Sequence, residues 1–271
     1  MSDAGPLRGY LARVDLSNPR VQLCVTPPVP DAVPGKVEAR LRQTDAFASA
    51  LVAPLPQPPE AVVVINCNFI SNEGGSKNYK PGVPADILGL SVSSGTVVSP
   101  PREFAGQGDP ALLVSAQPDG SLRARIARTT DVAIAADPSI RFAVAGIGAS
   151  ESDAAAGTAL LTAGFNTASS SRVSSDARHP RTAVGVADGG RTLVIIVIDG
   201  RQNDWSVGIT LPELATLFIR QGCTDAVNLD GGGSTAFVAF DAAGTRTSNR
   251  PSGGVHRPVA NHLAVIVTKP N

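Results

Sequence analysis

The sequence predicts a β-rich chain of short strands joined by many turns, with few helices. Two observations carry that prediction. There are 27 glycines and 22 prolines in 271 residues, and both types punctuate a chain more readily than they extend a helix. Apolar residues also fall mostly in short alternating or continuous runs, the strand patterns. No repeat and no domain boundary is visible, so residues 1–271 read as one domain, long enough to bury a sizeable core.

Taken in order, Tyr10–Leu16 alternates, Ser17-Asn18-Pro19 turns and Val21–Val25 alternates again, which reads as a hairpin. Residues 27–35 hold four prolines and form a loop. Thr44-Asp45-Ala46-Phe47-Ala48 starts a helix with Thr44 or Asp45 as its cap, and proline-rich 54–59 stops it. Ala61–Ile65 is a continuous, mostly β-branched run, the pattern of a central strand buried on both faces. It ends in Asn66-Cys67-Asn68-Phe69, which sets two amides on one face, a cost unless they are paired or used. Residues 71–86 are a loop expected to border any site at that strand end.

Short strands follow at Ile87–Val92, Thr96–Val98, Ala111–Ala116, Leu122–Ile126 and Ile140–Val144, with Asp119-Gly120 as a hairpin turn. From Gly146 to Ala177 the composition shifts to Ala, Ser and Gly, with one strand pattern at Ala159–Gly164 and a polar surface loop at Ser169–Ser175. Ala183–Val186 leads to an Asp188-Gly189-Gly190 turn. Leu193–Ile198 is a strong, parallel-looking buried strand ending in Asp199-Gly200-Arg201. Thr210-Leu211-Pro212-Glu213 fits a capping box, Leu211, Leu214, Ala215, Leu217 and Phe218 form one apolar stripe, and Gly222 ends the helix. Leu263–Val267 is the last strand.

The overall balance excludes some classes. Lys plus Arg equals 23 and Asp plus Glu equals 23, so no basic nucleic-acid footprint is expected. No run of 18 apolar residues predicts a membrane span. Cys24, Cys67 and Cys223 are odd in number and lack metal-ligand spacing, which reads as three buried thiols. The start lacks a signal-peptide pattern, which predicts a cytoplasmic protein, or a secreted one if a signal has been removed.

The stretch richest in chemistry is Val227-Asn228-Leu229-Asp230-Gly231-Gly232-Gly233-Ser234-Thr235. Strand alternation puts Asn228 and Asp230 on one face, just before the chain turns. Three glycines admit positive φ and close backbone approach, and successive N–H groups there can form an anion nest. Ser234 and Thr235 add hydroxyls.

Read in order, His179-Pro180-Arg181-Thr182-Ala183-Val184-Gly185-Val186, Val197-Ile198-Asp199-Gly200-Arg201, Pro212-Glu213-Leu214-Ala215, Asn228–Thr235, Asn249-Arg250-Pro251-Ser252-Gly253-Gly254 and Arg257-Pro258-Val259-Ala260-Asn261 resemble the phosphodiester glycosidase family. The match is strongest over 179–267 and looser upstream. Cys67-Asn68-Phe69-Ile70 departs from the Gly-Gly and aromatic residues usual in the family after its Ile-Asn. The resemblance implies an α+β domain with one surface cleft, so the expected fold is mixed β-sheets of short strands with a few flanking helices. It also implies hydrolysis of a sugar-1-phosphodiester to free sugar and phosphomonoester.

Breaking a glycosyl–phosphate bond passes through an oxocarbenium-like state that a carboxylate stabilises, or for which it activates water. Phosphate is a good leaving group, so cations around it matter more than a general acid. Asp230 is the first carboxylate candidate and Asp199, also at a strand end before Gly, the second. Arg181, Arg250 and Arg257 offer planar forks for phosphate. Arg181 is counted with the catalytic pair. Asn66, Asn68, Thr182, Asn228 and Asn249 suit sugar hydroxyls or a network around Asp230. Gly231, Gly232, Gly233, Ser234 and Thr235 offer N–H and hydroxyl donors. Glu213 is explained by capping. His179 and His256 are weaker acid/base candidates, and His262 reads as structural. Asp230, Asp199 and the amides are hard oxygen ligands suited to Ca²⁺ or Mg²⁺, though no spacing is a metal signature. Two other readings stay open: hydrolysis of another glycosidic bond in a cell-wall or phage-related glycan, and a noncatalytic module binding a sugar phosphate or nucleotide-like ligand.

Overall fold

A computed structural model describes residues 5–72, 75, 78–104, 107–128, 137–146, 160–166 and 174–270. Three larger sheets share one core. The first runs in the order Gly9–Asp15, Thr192–Ile198, Arg181–Ala187, Cys223–Asn228, Leu161–Thr162, Phe165–Asn166. The second runs Val21–Val25, His262–Val267, Ala61–Asn66, Phe237–Asp241, Arg246–Ser248. The third runs Leu122–Arg128, Pro110–Ala116, Ile140–Ala145, Ser91–Ser93, Thr96–Ser99. A three-stranded sheet orders Ala39–Arg40, Pro84–Ile87 and Ile70–Asn72.

Alternation explains how the layers stack. Along Thr192–Ile198, Leu193, Ile195 and Val197 enter the core shared with the other two large sheets, where Val25, Ile65, Leu112, Val144 and Val265 meet them. Val194, Ile196 and Ile198 point to the opposite face, under the helix Leu211–Arg220. That helix closes on its apolar stripe of Leu211, Leu214, Ala215 and Phe218. Burying Phe218 alone contributes roughly 1.5–3 kcal/mol. Gly185 makes room for it, since a Cβ there would sit 2.5 Å from the Phe218 ring. The second helix, Thr44–Val52, lays Phe47 and Ala48 over Val62, Val64, Ala264 and Ile266. Among the described residues no helix is long and apolar enough to cross a membrane.

The expected β-rich α+β fold is therefore found, with the Thr210 capping box intact. The Asp119-Gly120 hairpin joins Pro110–Ala116 to Leu122–Arg128, and a short strand forms at Leu161–Thr162 within the Ala/Ser/Gly-rich region. Of the expected surface loop, residues 169–173 lie outside the described residues.

Six expectations need correction. Residues 71–86 are not all loop, since Ile70–Asn72 and Pro84–Ile87 pair as strands. The Ile87–Val92 run is not one strand but divides between Pro84–Ile87 and Ser91–Ser93, with a bend between them. Gly9–Asp15 and Val21–Val25 are strands but not a hairpin, because the first pairs with Thr192–Ile198 and the second with His262–Val267. Thr192–Ile198 is antiparallel to both neighbours, and its apolar run reflects cover on two faces rather than parallel pairing. Gln43 occupies the N-cap position of the first helix without a side-chain capping bond, and Thr44 and Asp45 already lie in its first turn. Cys24 is half-buried, whereas Cys67 and Cys223 are buried.

Candidate active site

The first two sheets converge where their strands end. Asn66 closes Ala61–Asn66, Thr182 lies near the start of Arg181–Ala187, and Asn228 closes Cys223–Asn228. The Thr182 hydroxyl donates across the sheets to Asn66 Oδ1 at 2.7 Å. Asn66 Nδ2 donates to the Asp230 carbonyl at 2.6 Å, and the Ala236 N–H donates to Asn66 Oδ1 at 3.0 Å. The Asp230 N–H completes the tie, donating to the Cys67 carbonyl at 2.8 Å. Asn66 and Thr182 are fully buried in this way. Both position the Asp230 backbone and neither faces the cleft.

Asp230 sits on a cleft of about 220 Å³ lined by Phe69, Ser174, His179, Arg181, Arg201, Asn228, Asp230, Gly231 and Gly232. Its side chain reaches the opening yet is crowded by protein, and burial raises its carboxyl to about 7. Hydrogen bonds from Ser234 and the Gly231 N–H, and the charge of Arg257, pull the other way without cancelling that burial. A carboxyl near 7 is poised to exchange a proton at neutral pH. Asn228 shares the cleft, as strand alternation requires. Its Nδ2 donates to the Leu229 carbonyl at 2.9 Å, and its buried Oδ1 has no hydrogen-bond partner among the described residues.

The glycine turn acts differently from an open anion nest. The Gly232 N–H is taken by the Pro180 carbonyl at 2.8 Å, and that of Gly231 goes to the Asp230 carboxylate. Gly232 holds φ at +60°, and a Cβ on Gly233 would collide with the Arg257 guanidinium. The glycines thus let arginines close on the turn. Ser234 is buried against Asp230, while Thr235 is buried with its hydroxyl unpartnered among the described residues.

A second hollow of about 500 Å³ adjoins the first, sharing Arg201 and lined also by Gln43, Tyr79, Pro81, Gly233, Ser252, Val255, His256, Arg257 and Pro258. Arg257 lies over the Tyr79 ring at 4.4 Å. Burial and the nearby Asp230 charge raise the Tyr79 hydroxyl pKa. Tyr79 and Pro81 bring this part of the 71–86 segment to the border of the hollow, as expected. A hollow of about 390 Å³ beside Arg123 and Asp225 is larger than the Asp230 cleft. Its lining takes in none of the residues of the Asn228–Thr235 turn, which gather at the Asp230 cleft and the hollow beside it.

The remaining candidates divide. Arg181 lines the cleft but is buried, donating to the Ser174 and Ala177 carbonyls at 2.9 and 3.1 Å. Burial and the Arg201 charge lower it to about 10, which leaves it cationic at neutral pH. Asp199 does not reach the cleft. Its carboxylate accepts from Asn249 Nδ2 at 2.9 Å, Trp205 Nε1 at 2.9 Å and the Arg250 N–H at 3.2 Å. Asn249 is equally committed, accepting from the Phe237 N–H at 2.8 Å. Asn68 is buried, donating to carbonyls of Leu88, Gly89 and Leu90 and accepting from Asn261 at 2.9 Å. Arg250 is exposed, with its guanidinium 5.4 Å from the Trp205 ring and away from both hollows. His262 is structural as expected, stacked on Phe47 at 4.4 Å.

Two residues gain weight. Arg201 forms the wall between the hollows and takes φ of +60°, rare for a side chain this bulky. Its Nε lies 3.4 Å from His179 Nδ1. An acceptor Nδ1 leaves the proton on Nε2. Burial, Arg201 and Arg181 all lower the His179 pKa and favour that neutral form. Arg201 is legible in the sequence only as part of the Asp-Gly-Arg motif. Among the described residues no group of three His, Cys, Asp or Glu side chains could hold a metal ion.

The model of the phosphodiester glycosidase family matches residues 59–266. Among curated proteins the chain is similar to the SPβ prophage-derived uncharacterized protein YomE of Bacillus subtilis (strain 168), 41% identical over 88 residues. That match covers 32% of this chain and 13% of that protein, so the chain spans a small part of the relative's length. Among solved structures it is similar to a putative exported protein from Burkholderia pseudomallei, with TM-score 0.62, 20% identity, and cover of 96% of this chain and 74% of that one. It is also similar to the catalytic domain of zebrafish N-acetylglucosamine-1-phosphodiester alpha-N-acetylglucosaminidase, auto-inhibited by pro-peptide. There the TM-score is 0.59 and the identity 18%, with cover of 100% of this chain and 86% of that one. These two likenesses show a shared fold.

Proposed function

We propose that this chain, which belongs to the phosphodiester glycosidase family, hydrolyses the glycosidic C–O bond of a sugar-1-phosphodiester to free sugar and phosphomonoester. The observation that carries the reading is the Asp230 carboxyl, raised to about 7 at a cleft walled by Arg201 and close to Arg257. Neither arginine has an acid partner within ion-pair distance among the described residues. Arg201 turns its Nε to His179 and Arg257 hydrogen-bonds Tyr79, and the remaining N–H edges of both are offered to an anion.

In this reading the ionised Asp230 takes a proton from water as the water oxygen bonds to the anomeric carbon. The C–O bond breaks and its electron pair leaves on the phosphate oxygen. Arg201 and Arg257 hold the phosphate while its charge grows, the role best filled by preorganised cations. Asn228 Oδ1, without a partner among the described residues, accepts from a sugar hydroxyl. Neutral His179 offers Nε2–H as a donor into the same cleft. Asp199, Asn249, Asn68, Asn66 and Thr182 act by positioning.

Hydrolysis in ¹⁸O-labelled water tests which bond breaks. The glycosidase reading places the label on the sugar. Label in the phosphomonoester would mean attack at phosphorus and would overturn it.

A further inference from the structure

We infer that a basic surface leads out of the cleft over Arg201, Trp205, Arg250 and Arg8. It binds a further phosphate of the substrate, which makes that substrate a repeating sugar–phosphate chain rather than an isolated diester. The inference rests on the reaction proposed above and extends it to the part of the substrate beyond the scissile bond.

The surface begins at Arg201 and is built by the turn that follows it. Gln202 and Ser206 pair across this turn, and the Trp205 N–H donates to the Gln202 carbonyl at 3.0 Å. Gln202 Nε2 donates to the Arg250 carbonyl at 3.0 Å, which ties the 249–254 loop to the same turn. On the other side the Val207 N–H donates to the Pro6 carbonyl at 2.9 Å and the Asp199 N–H to the Arg8 carbonyl at 3.0 Å. Three separate segments are thus pinned around one indole. Its orientation is fixed by the Nε1–H bond to Asp199 at 2.9 Å.

Two guanidinium groups lie on that ring, Arg8 at 4.3 Å and Arg250 at 5.4 Å from the centroid. Contact with a ring face holds an arginine in place while its N–H edges stay available. Arg8, Arg201 and Arg250 are all exposed. None pairs with an acid among the described residues, whereas Arg13, Arg20, Arg40, Arg125, Arg178 and Arg246 all do. Two acids are close. Asp199 is buried and occupied by the N–H donors already named. Asp204 is exposed in the same turn and forms no ion pair among the described residues.

The chain as a whole is neutral, so this is a local excess of positive charge that meets the cleft at Arg201. Its complement is a row of negative charges attached to the group that enters the cleft. An isolated diester supplies one phosphate, for Arg201 and Arg257, and leaves Arg8 and Arg250 idle. A repeating chain supplies the others.

Trp205 is the one tryptophan, so its fluorescence reports on this surface directly. The probes are oligo(N-acetylglucosamine 1-phosphate) of two and of six repeats, titrated into the Asp230→Asn protein to prevent turnover. The longer probe is expected to bind about tenfold more tightly than the shorter, with a steeper loss in salt. Arg8→Gln with Arg250→Gln, which keeps the side-chain stems, should bring the ratio close to one. Equal affinities before replacement, or a ratio that survives it, would overturn the surface. A thymidylate hexanucleotide binding as tightly and losing as much on replacement would overturn its assignment to a glycan. Labelled-water hydrolysis of the shorter probe by the unmodified protein separates the two levels: turnover without length preference removes the surface alone, and absence of turnover removes the reaction it rests on.

Discussion

Asp199 and Asp230 occupy the same place in the sequence pattern and opposite places in the molecule. Each follows a buried strand, and each precedes glycine. Asp199 lies 1% exposed and accepts hydrogen bonds from Trp205, Asn249 and Arg250. Asp230 opens on a cleft, and burial lifts its carboxyl to about 7. The difference lies in what the following residues do. After Asp230 the glycine turn folds back under Pro180 and lets Arg257 approach. After Asp199 the chain enters a hairpin whose Trp205 turns its N–H back onto the carboxylate. One carboxylate faces a cleft, and the other anchors the loop that follows it.

The sharpest way to break this contrast is to substitute both. Asp230→Asn should lower kcat/KM by roughly 10²–10⁴-fold, the range for a lost acid/base group, with the fold intact by circular dichroism. Asp199→Ala should act mainly on stability, costing about 3 kcal/mol in urea unfolding, because buried donors lose a charged acceptor. An Asp199 variant that stays as stable as the parent but is inactive would reverse the roles.

The arginines give the next largest effect. Arg201→Ala should weaken kcat/KM for a small phosphodiester about tenfold or more, the scale of one lost charge-assisted contact, and should spare the neutral glycoside analogue. Arg250→Ala should show little of that difference on the same small substrate. Equal losses for both variants would place Arg250 in the cleft after all.

A smaller effect concerns stability against pH. The folded chain keeps the Asp230 proton up to about 7, whereas an ordinary aspartate gives it up near 3.8. Between those values the unfolded chain releases a proton that the folded chain holds, so this group makes the native state less stable as pH rises. Asp230→Asn cannot ionise. Its Tm advantage over the parent should be absent below about pH 4, grow with pH and be complete above about pH 7. A constant Tm difference across that window would mean that the carboxyl is not perturbed.

Some of this was open to reading from residues alone. Alternation put Asn228 beside Asp230, Thr210 and Glu213 announced their capping box, and Asp119-Gly120 marked its hairpin. These are local signals, and local geometry settles them. Strand partners are not local. Gly9–Asp15 and Val21–Val25 alternate like a hairpin, yet each finds a different sheet. A continuous apolar run such as Thr192–Ile198 reports cover on two faces and is silent on strand direction. Amides at a strand end look alike whether they meet a ligand or brace a backbone, and Asn66 and Asn68 brace. Arg201 carried no period or motif of its own. Its place in the wall depends on a positive φ and on contact with His179, which only the folded chain creates.

On the proposed reaction, Asp230 is the carboxylate that turns over a sugar-1-phosphodiester. The pH–rate profile for free-sugar release tests it most directly, using UDP-N-acetylglucosamine and a small panel of sugar-1-phosphodiesters. For the unmodified protein kcat/KM should rise with pH through about 7, where Asp230 ionises, and Asp230→Asn should release almost no sugar at any pH. Release by the variant at parental rates, or none from any member of the panel by either protein, would contradict it.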